Sequence, residues 1–353
     1  MDTARTELHV QTYILTDDHT GGLVLEAMLR ARGRGVDTFL LLDAFGSGNL
    51  PRVLVARLKE SGVRLRFFSP LFTYKGRFFG RRLHHKVILA DRQVAIIGGI
   101  NFSDSYSGFH GETPWLDFAV LLHGEECRLV HKVCVELWGK VHPVTRFPFR
   151  RERYLPSVRL RTLVIHNDWF RYRNQVDVRY RTMLREAKQQ ILIVAGYFLP
   201  GFRFRRALER AVGRGVRVRI VLAGQSDVRM LRYASRHLYG ALLEWGVEIY
   251  EWHGSVLHAK AMMVDHAWMT LGSFNLNYLS TYGSIETNIE STERALLRDF
   301  SRSMQSVLAR CEKVTDHVFS GRAVWWHRWR DAFAYHLMRR ALLLLTFFAY
   351  KRM

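Results

Sequence analysis

Two short segments of the chain carry the same reactive side chains at the same spacing. His84-His85-Lys86 leads after four residues to Asp91, and His258-Ala259-Lys260 leads after four residues to Asp265. Each copy continues to a glycine, Gly98 or Gly272, and three positions on to an asparagine, Asn101 or Asn275. A single H-x-K-x4-D is a weak signal, whereas two copies with one tail point to a shared site. Histidine and lysine at i and i+2 of a strand project to one face. An imidazole can attack phosphorus and form a covalent phosphohistidine. The lysine ammonium and the asparagine amide can hold the non-bridging oxygens as charge develops. The imidazole of the other half can protonate the leaving alcohol and then deprotonate the incoming one. One nucleophile and one acid–base group account for the need for two copies. The scheme requires no metal or other cofactor, and the sequence has no carboxylate cage, C-x-x-C or other zinc pattern.

The elements that must position these residues also occur twice. Strand-like runs at Leu8 to Ile14 and Ile191 to Leu199 are each followed by a helix-period segment, Leu23 to Ala31 and Phe204 to Val212. Each helix ends in the same words, Gly33-Arg34-Gly35-Val36 and Gly213-Arg214-Gly215-Val216, a glycine stop. Buried-type strands follow at Thr38 to Leu42 and Val218 to Leu222, then SGVRLRFF (Ser61 to Phe68) and WGVEIYEW (Trp245 to Trp252). The order predicts an α/β fold of two repeated lobes, residues 1–150 and 151–320. Each is expected to be a mostly parallel sheet flanked by helices, with one active site at the lobe interface. Pro143, Pro148 and Pro156 place the linker near His142 to Pro156.

The 353 residues suit two lobes, and 48% of them are hydrophobic, enough to pack both. A net charge of +21 calls for an anionic partner, either nucleic acid or an anionic membrane surface. Cys127 and Cys134 stand two turns apart on one predicted helix and Cys311 is distant, which fits reduced thiols in a cytoplasmic protein. No signal peptide is visible at MDTARTELHV, and no apolar run reaches the roughly 18 residues of a spanning helix.

At the two motifs the chain resembles the phospholipase D superfamily, and within it the bacterial phospholipase D-type cardiolipin synthases. The likeness runs from about Glu7 to about Glu290 through HVQTYIL, Gly98-Gly99 before Asn101, Trp115-Leu116-Asp117 and AGYFLP. It implies that a carboxylate beyond each motif orients the histidine of the opposite half, Glu286 for His84 and Asp117 for His258. It also implies that His84 is the nucleophile, that His258 is the acid–base, and that Asp91 and Asp265 are structural, salt-bridged near the lobe interface. Where the family often carries Arg-Ser after the second asparagine, this chain has Leu279-Ser280. The family's usual opening strand and helix would precede Met1, so a shortened member or a truncated reading frame is expected. The implied reaction passes a phosphatidyl group from one phosphatidylglycerol to another. Transfer to water, as in a phospholipase D, and a nuclease of the same superfamily are the alternatives.

One segment favours a membrane over nucleic acid, and a second fits either. In residues 321–353, Trp325, Trp329, Phe333, Leu337, Ala341 and Leu345 recur at i, i+4 among Arg322, Arg328, Arg330, Arg339, Arg340, Lys351 and Arg352. A basic helix rich in Trp, Phe and Leu is built to lie in an anionic lipid interface, here on the cytoplasmic face of the inner membrane. Ahead of the first motif, Phe72, Tyr74, Phe78 and Phe79 alternate with Lys75, Arg77, Arg81 and Arg82, a candidate headgroup-binding loop that would also suit single-stranded nucleic acid. No helix-turn-helix, zinc-finger or RNA-binding signature is present.

Overall fold

The computed structural model describes residues 1–69, 81–140, 161–168, 174–315 and 324–350. The expected linker and the aromatic residues of the loop before the first motif lie outside these. The predicted repeat is observed as strand Glu7–Thr12, helix His19–Gly33, strand Asp37–Asp43, helix Arg52–Glu60 and strand Arg64–Phe68 in the first half. Its counterpart is Gln190–Ala195, Phe202–Gly213, Arg217–Ala223, the short helices Arg229–Arg236 and Tyr239–Glu244, and Glu248–Trp252. Gly35 and Gly215 have φ of +87° and +83° and end the two long helices, each followed by a valine N–H that returns to the carbonyl of Ala31 or Ala211.

Three strands of each repeat pair in parallel, and the motif hairpins then add antiparallel to the central strand. The first sheet runs Arg64–Phe68, Asp37–Asp43, Glu7–Thr12, Lys86–Ala90, Val94–Gly98, Ala119–His123. The sheets are therefore mixed, since a short turn after each motif strand folds the chain straight back on itself. The turn residues are Asp91-Arg92 and Asp265-His266, all four with φ between 52° and 58°. Aspartate tolerates this left-handed backbone better than most residues.

The second sheet carries a strand from the first half. Arg82–Leu83 pairs in parallel with Ser284–Ser291. Core residues fall into an outer cluster in each lobe and a third cluster between the sheets. That third cluster mixes Leu41, Val87, Cys127, Cys134 and Leu137 with Val194, Met263, Ile285 and Phe300. Cys127, Cys134 and Cys311 are free thiols.

The C-terminal helix Val324–Tyr350 has two faces. Asp331, Ala334, Tyr335 and Leu342 are buried against the second lobe, where the helix packs on Arg229–Arg236 and Tyr278–Tyr282. Trp326, Trp329, Phe333 and Leu337 are 72%, 61%, 66% and 46% exposed. Three members of the predicted stripe thus face solvent while a different face docks. Trp325 and Leu345 lie outside the described side chains. No described helix is long and apolar enough to cross a membrane.

Candidate active site

The regular strands begin at Lys86 and Lys260, so each motif histidine stands two residues before its strand rather than on it. Its backbone is held instead by the opposite lobe. The His84 N–H donates to the carbonyl of Ile285, and the His258 N–H donates to that of Leu116, both at 2.9 Å. Ile285 and Leu116 directly precede Glu286 and Asp117. One backbone bond on each side therefore sets each imidazole against the next residue's carboxylate.

His84 Nδ1 lies 3.0 Å from Glu286 Oε2, and His258 Nδ1 lies 2.6 Å from Asp117 Oδ2. Both carboxylates are buried, with side chains no more than 1% exposed. Each pairing fixes a tautomer in which Nδ1–H donates, and Nε2 of neither ring has a hydrogen-bond partner among the described residues. Lys260 Nζ also lies 2.8 Å from His258 Nδ1. That nitrogen cannot donate to Asp117 and accept from an ammonium at once, so the Lys260 protons go to the His258 carbonyl and towards Asp117, 3.8 Å away. Lys86 Nζ donates to the carbonyl of His84 at 2.6 Å.

Burial sets the proton affinities. It lowers His84 below the usual imidazole range, and with the Lys260 charge it takes His258 down to about 3. It takes Lys86 to about 7 and Lys260 to about 8. Lys86 is felt at His258 and Lys260 at His84, so the four groups share one electrostatic site. Two buried lysines beside two imidazoles, each with an Nε2 that has no partner among the described residues, could hold an anionic phosphoester.

The other predicted residues divide. The Asn101 amide donates to Tyr106 Oη at 2.9 Å, and that hydroxyl lies 3.2 Å from His258 Nδ1. Asn101 thus supports a ring rather than standing open to an oxyanion. The Asn275 side-chain oxygen is buried without a partner among the described residues. Asp91 and Asp265 are not at the site. They lie five residues beyond the lysines, at the other end of strands that rise about 3.3 Å per residue. Among the described residues they are also not salt-bridged at the interface. Asp91 accepts the N–H groups of Arg5, Thr6 and Glu7, and Asp265 those of Lys188, Gln189 and Gln190, at 2.8–3.2 Å. These donors lie at or just before the first residue of strands Glu7–Thr12 and Gln190–Ala195, where a carboxylate supplies their acceptor. Arg81 is likewise no headgroup ligand. It is buried and ion-paired with Asp168, because a guanidinium out of water requires a counter-charge.

Several contributors had no assigned role in the sequence. Tyr13 and Tyr197 stand at matching places of the repeat, with ring centroids 5.0 Å from His84 and 5.6 Å from His258. Their place in the repeated strand ends was the available signal. Tyr106 and Trp115 flank His258 at 5.5 and 6.0 Å. Ser273 Oγ donates to Glu286 at 2.6 Å. Beneath the site, His85 bonds Gln11 at 3.0 Å and Thr287 of the other lobe at 3.1 Å.

The family described as cardiolipin synthase, phospholipase D-like domain matches residues 1–117 and 180–308, which contain both motifs and both carboxylates. The chain belongs to the phospholipase D-like cardiolipin synthase family. It is 29% identical over 343 residues to cardiolipin synthase B of Salmonella typhi, covering 95% of this chain and 83% of that one. It is 30% identical over 349 residues to cardiolipin synthase B of Escherichia coli strain K12, at the same coverage. The crystal structure of phosphatidylserine synthase from Haemophilus influenzae shares the fold, with a TM-score of 0.75 at 14% identity over 98% of this chain and 90% of that one.

Among the described residues the fold brings one further group of metal-ligand types together. Glu7, His9 and His131 place a ligand atom each within 4.8 Å of the others. Both Glu7 oxygens are engaged by Arg92, at 2.7 and 3.2 Å, and the cluster lies at the Asp91 end of the sheet. A guanidinium there opposes a cation, and no step is assigned to the group.

Proposed function

We propose that the protein is a phosphatidyltransferase that makes cardiolipin and glycerol from two phosphatidylglycerols. The observation that carries this reading is the pair of imidazoles, each oriented by the opposite lobe's carboxylate, with Nε2 free and two buried lysines alongside. His84 Nε2 attacks the phosphorus of the first phosphatidylglycerol. The glycerol oxygen leaves with the electron pair of the P–O bond and takes a proton from His258 Nε2. A hydroxyl of the second phosphatidylglycerol then gives its proton to His258 and attacks phosphorus, breaking the P–N bond and freeing His84. The bound phosphodiester charge offsets Lys86 and Lys260, and so raises the proton affinity of His258 to the level an acid needs.

The exposed stripe of the C-terminal helix supports peripheral attachment to an anionic membrane, with basic residues near the lipid surface and aromatic rings within it. Purified protein incubated with phosphatidylglycerol vesicles should form cardiolipin and glycerol in equal amounts. Phosphatidic acid as the main lipid product would replace the transferase reading with a hydrolase. In the same assay, Trp326→Ser/Trp329→Ser/Phe333→Ser should stay folded and pellet less with the vesicles. Unchanged pelleting would remove the helix from membrane attachment.

A further inference from the structure

Helices Gln175–Glu186 and Phe202–Gly213 meet at a pocket of about 250 Å3 lined by Arg181, Arg185, Phe202, Arg203, Arg206 and Arg210. The pocket follows from helical spacing. Phe204, Ala207, Leu208 and Ala211 turn inward, which leaves Arg203, Arg206 and Arg210 together on the outer face. Arg181 and Arg185, one turn apart, complete the set from the neighbouring helix.

Five guanidiniums share this pocket with little compensation. Arg181 bonds Asp177 at 2.8 Å. Among the described residues Arg185 bonds only the Thr182 hydroxyl, at 3.1 Å, and Arg206 lies 5.3 Å from the centre of the Phe202 ring. Arg185, Arg203, Arg206 and Arg210 have no carboxylate within 4 Å among the described residues. Clustered like charges repel, and an anion seated among them relieves the repulsion. Arginine presents a planar fork that matches phosphate oxygens two at a time.

The surroundings choose the kind of phosphate. Phe202, on the rim, is 57% exposed. Tyr282 is 41% exposed and its phenol feels the charges of Asp177 and Arg203, which places it beside the pocket. Its helix, Tyr278–Tyr282, packs against the C-terminal helix whose aromatic stripe faces solvent. Cations thus sit beside exposed aromatic rings, an arrangement that suits a phosphate joined to acyl chains.

We infer that this arginine pocket is a second lipid site, separate from the two motifs, which holds the phosphate of an anionic phospholipid and seats the second lobe on the membrane. The inference rests on the phosphatidyltransferase reading for its choice of lipid, while its test reads binding alone. Full-length Arg203→Gln/Arg206→Gln/Arg210→Gln is compared with wild type by sedimentation. The vesicles are phosphatidylcholine with and without phosphatidylglycerol, in about 0.1 M salt. A charge-matched control, Arg294→Gln/Arg298→Gln/Arg302→Gln, alters exposed positions on helix Arg294–Ala309. The pocket variant should bind phosphatidylglycerol vesicles at least about tenfold more weakly, and the control less than about twofold. Circular dichroism of both variants should match wild type, since every substituted residue is exposed.

Equal losses in the two variants would reduce the pocket to general charge and overturn the site. So would unchanged binding in the pocket variant. Saturable binding of inorganic phosphate without vesicles, lost in the pocket variant while vesicle binding persists, would assign the pocket to free phosphate instead. Loss of single-stranded oligonucleotide binding alone would assign it to nucleic acid. Absence of cardiolipin synthesis by a wild type that binds as expected would overturn the proposed function and leave the lipid site standing.

Discussion

His84 keeps 15% of its side chain exposed and faces one carboxylate, whereas His258 keeps 6% and has Asp117, Lys260 and Tyr106 all within 3.2 Å of Nδ1. The backbone around the two rings is nearly two-fold symmetric, down to equal N–H···O distances. Beyond the exchange of Glu286 for Asp117 and the presence of Tyr106, one position of the tail contributes to the asymmetry. Ser273 places a hydroxyl on Glu286. Its counterpart Gly99 has no side chain, and a Cβ there would lie 2.3 Å from Asp117 Oδ1. Glycine lets the Asp117 carboxylate sit close in, shared between His258 and Lys260. A duplicated motif can thus yield two unlike imidazoles, a more open one suited to reach phosphorus and a more enclosed one suited to pass protons.

The largest expected effect tests whether the halves form one site. We predict that His84→Ala and His258→Ala each lower turnover by about a thousandfold or more while leaving the melting temperature near wild type. Half of the activity surviving in either variant would mean two independent sites. A trapped phosphatidyl adduct should map to His84, and an adduct on His258 would exchange the roles.

A smaller effect should separate the two carboxylates. Asp117→Asn and Glu286→Gln preserve shape and remove charge, leaving each ring without a partner that fixes its tautomer. Losses of roughly tenfold to a thousandfold in kcat are expected, the larger for Asp117, which also faces Lys260. Equal losses at every pH would erase the distinction drawn between the rings.

The smallest effect is on stability. Folding lowers the affinity of Lys86 and Lys260 for protons from 10.5 to about 7 and about 8, mainly through burial. Between those values and 10.5 the unfolded chain holds protons that the folded chain has released, so stability rises with pH across that window. The melting temperature of the empty enzyme should climb by a few degrees from pH 7 to pH 9. Lys86→Met should flatten the climb more than Lys260→Met, because its shift is the larger. A flat profile in wild type would show the lysines to be better solvated than their burial indicates.

Much of this was legible along the chain. The repeat, the glycine helix stops, the strand runs and both motifs are local patterns of period and turn, and they reappear at nearly the expected residues. The pairing of Asp117 and Glu286 with the opposite histidines came from resemblance, since nothing in the spacing joins residues 141 and 202 positions apart. Asp91 and Asp265 show the opposite case. The resemblance made them structural but salt-bridged near the lobe interface, and the structure instead uses them to tie down strand openings across sequence separations of 75 to 86.

By itself the sequence determined which residues can do chemistry and which segments become strands and helices, because both depend on side-chain type and short-range order. Tertiary structure alone decided that Arg82–Leu83 joins the other lobe's sheet and that Tyr106 buttresses His258. It also decided that five arginines from two helices share one pocket, and that the C-terminal helix docks by one face and leaves its aromatic stripe outward. These are contacts between residues far apart in sequence, and only packing the two lobes together selects them.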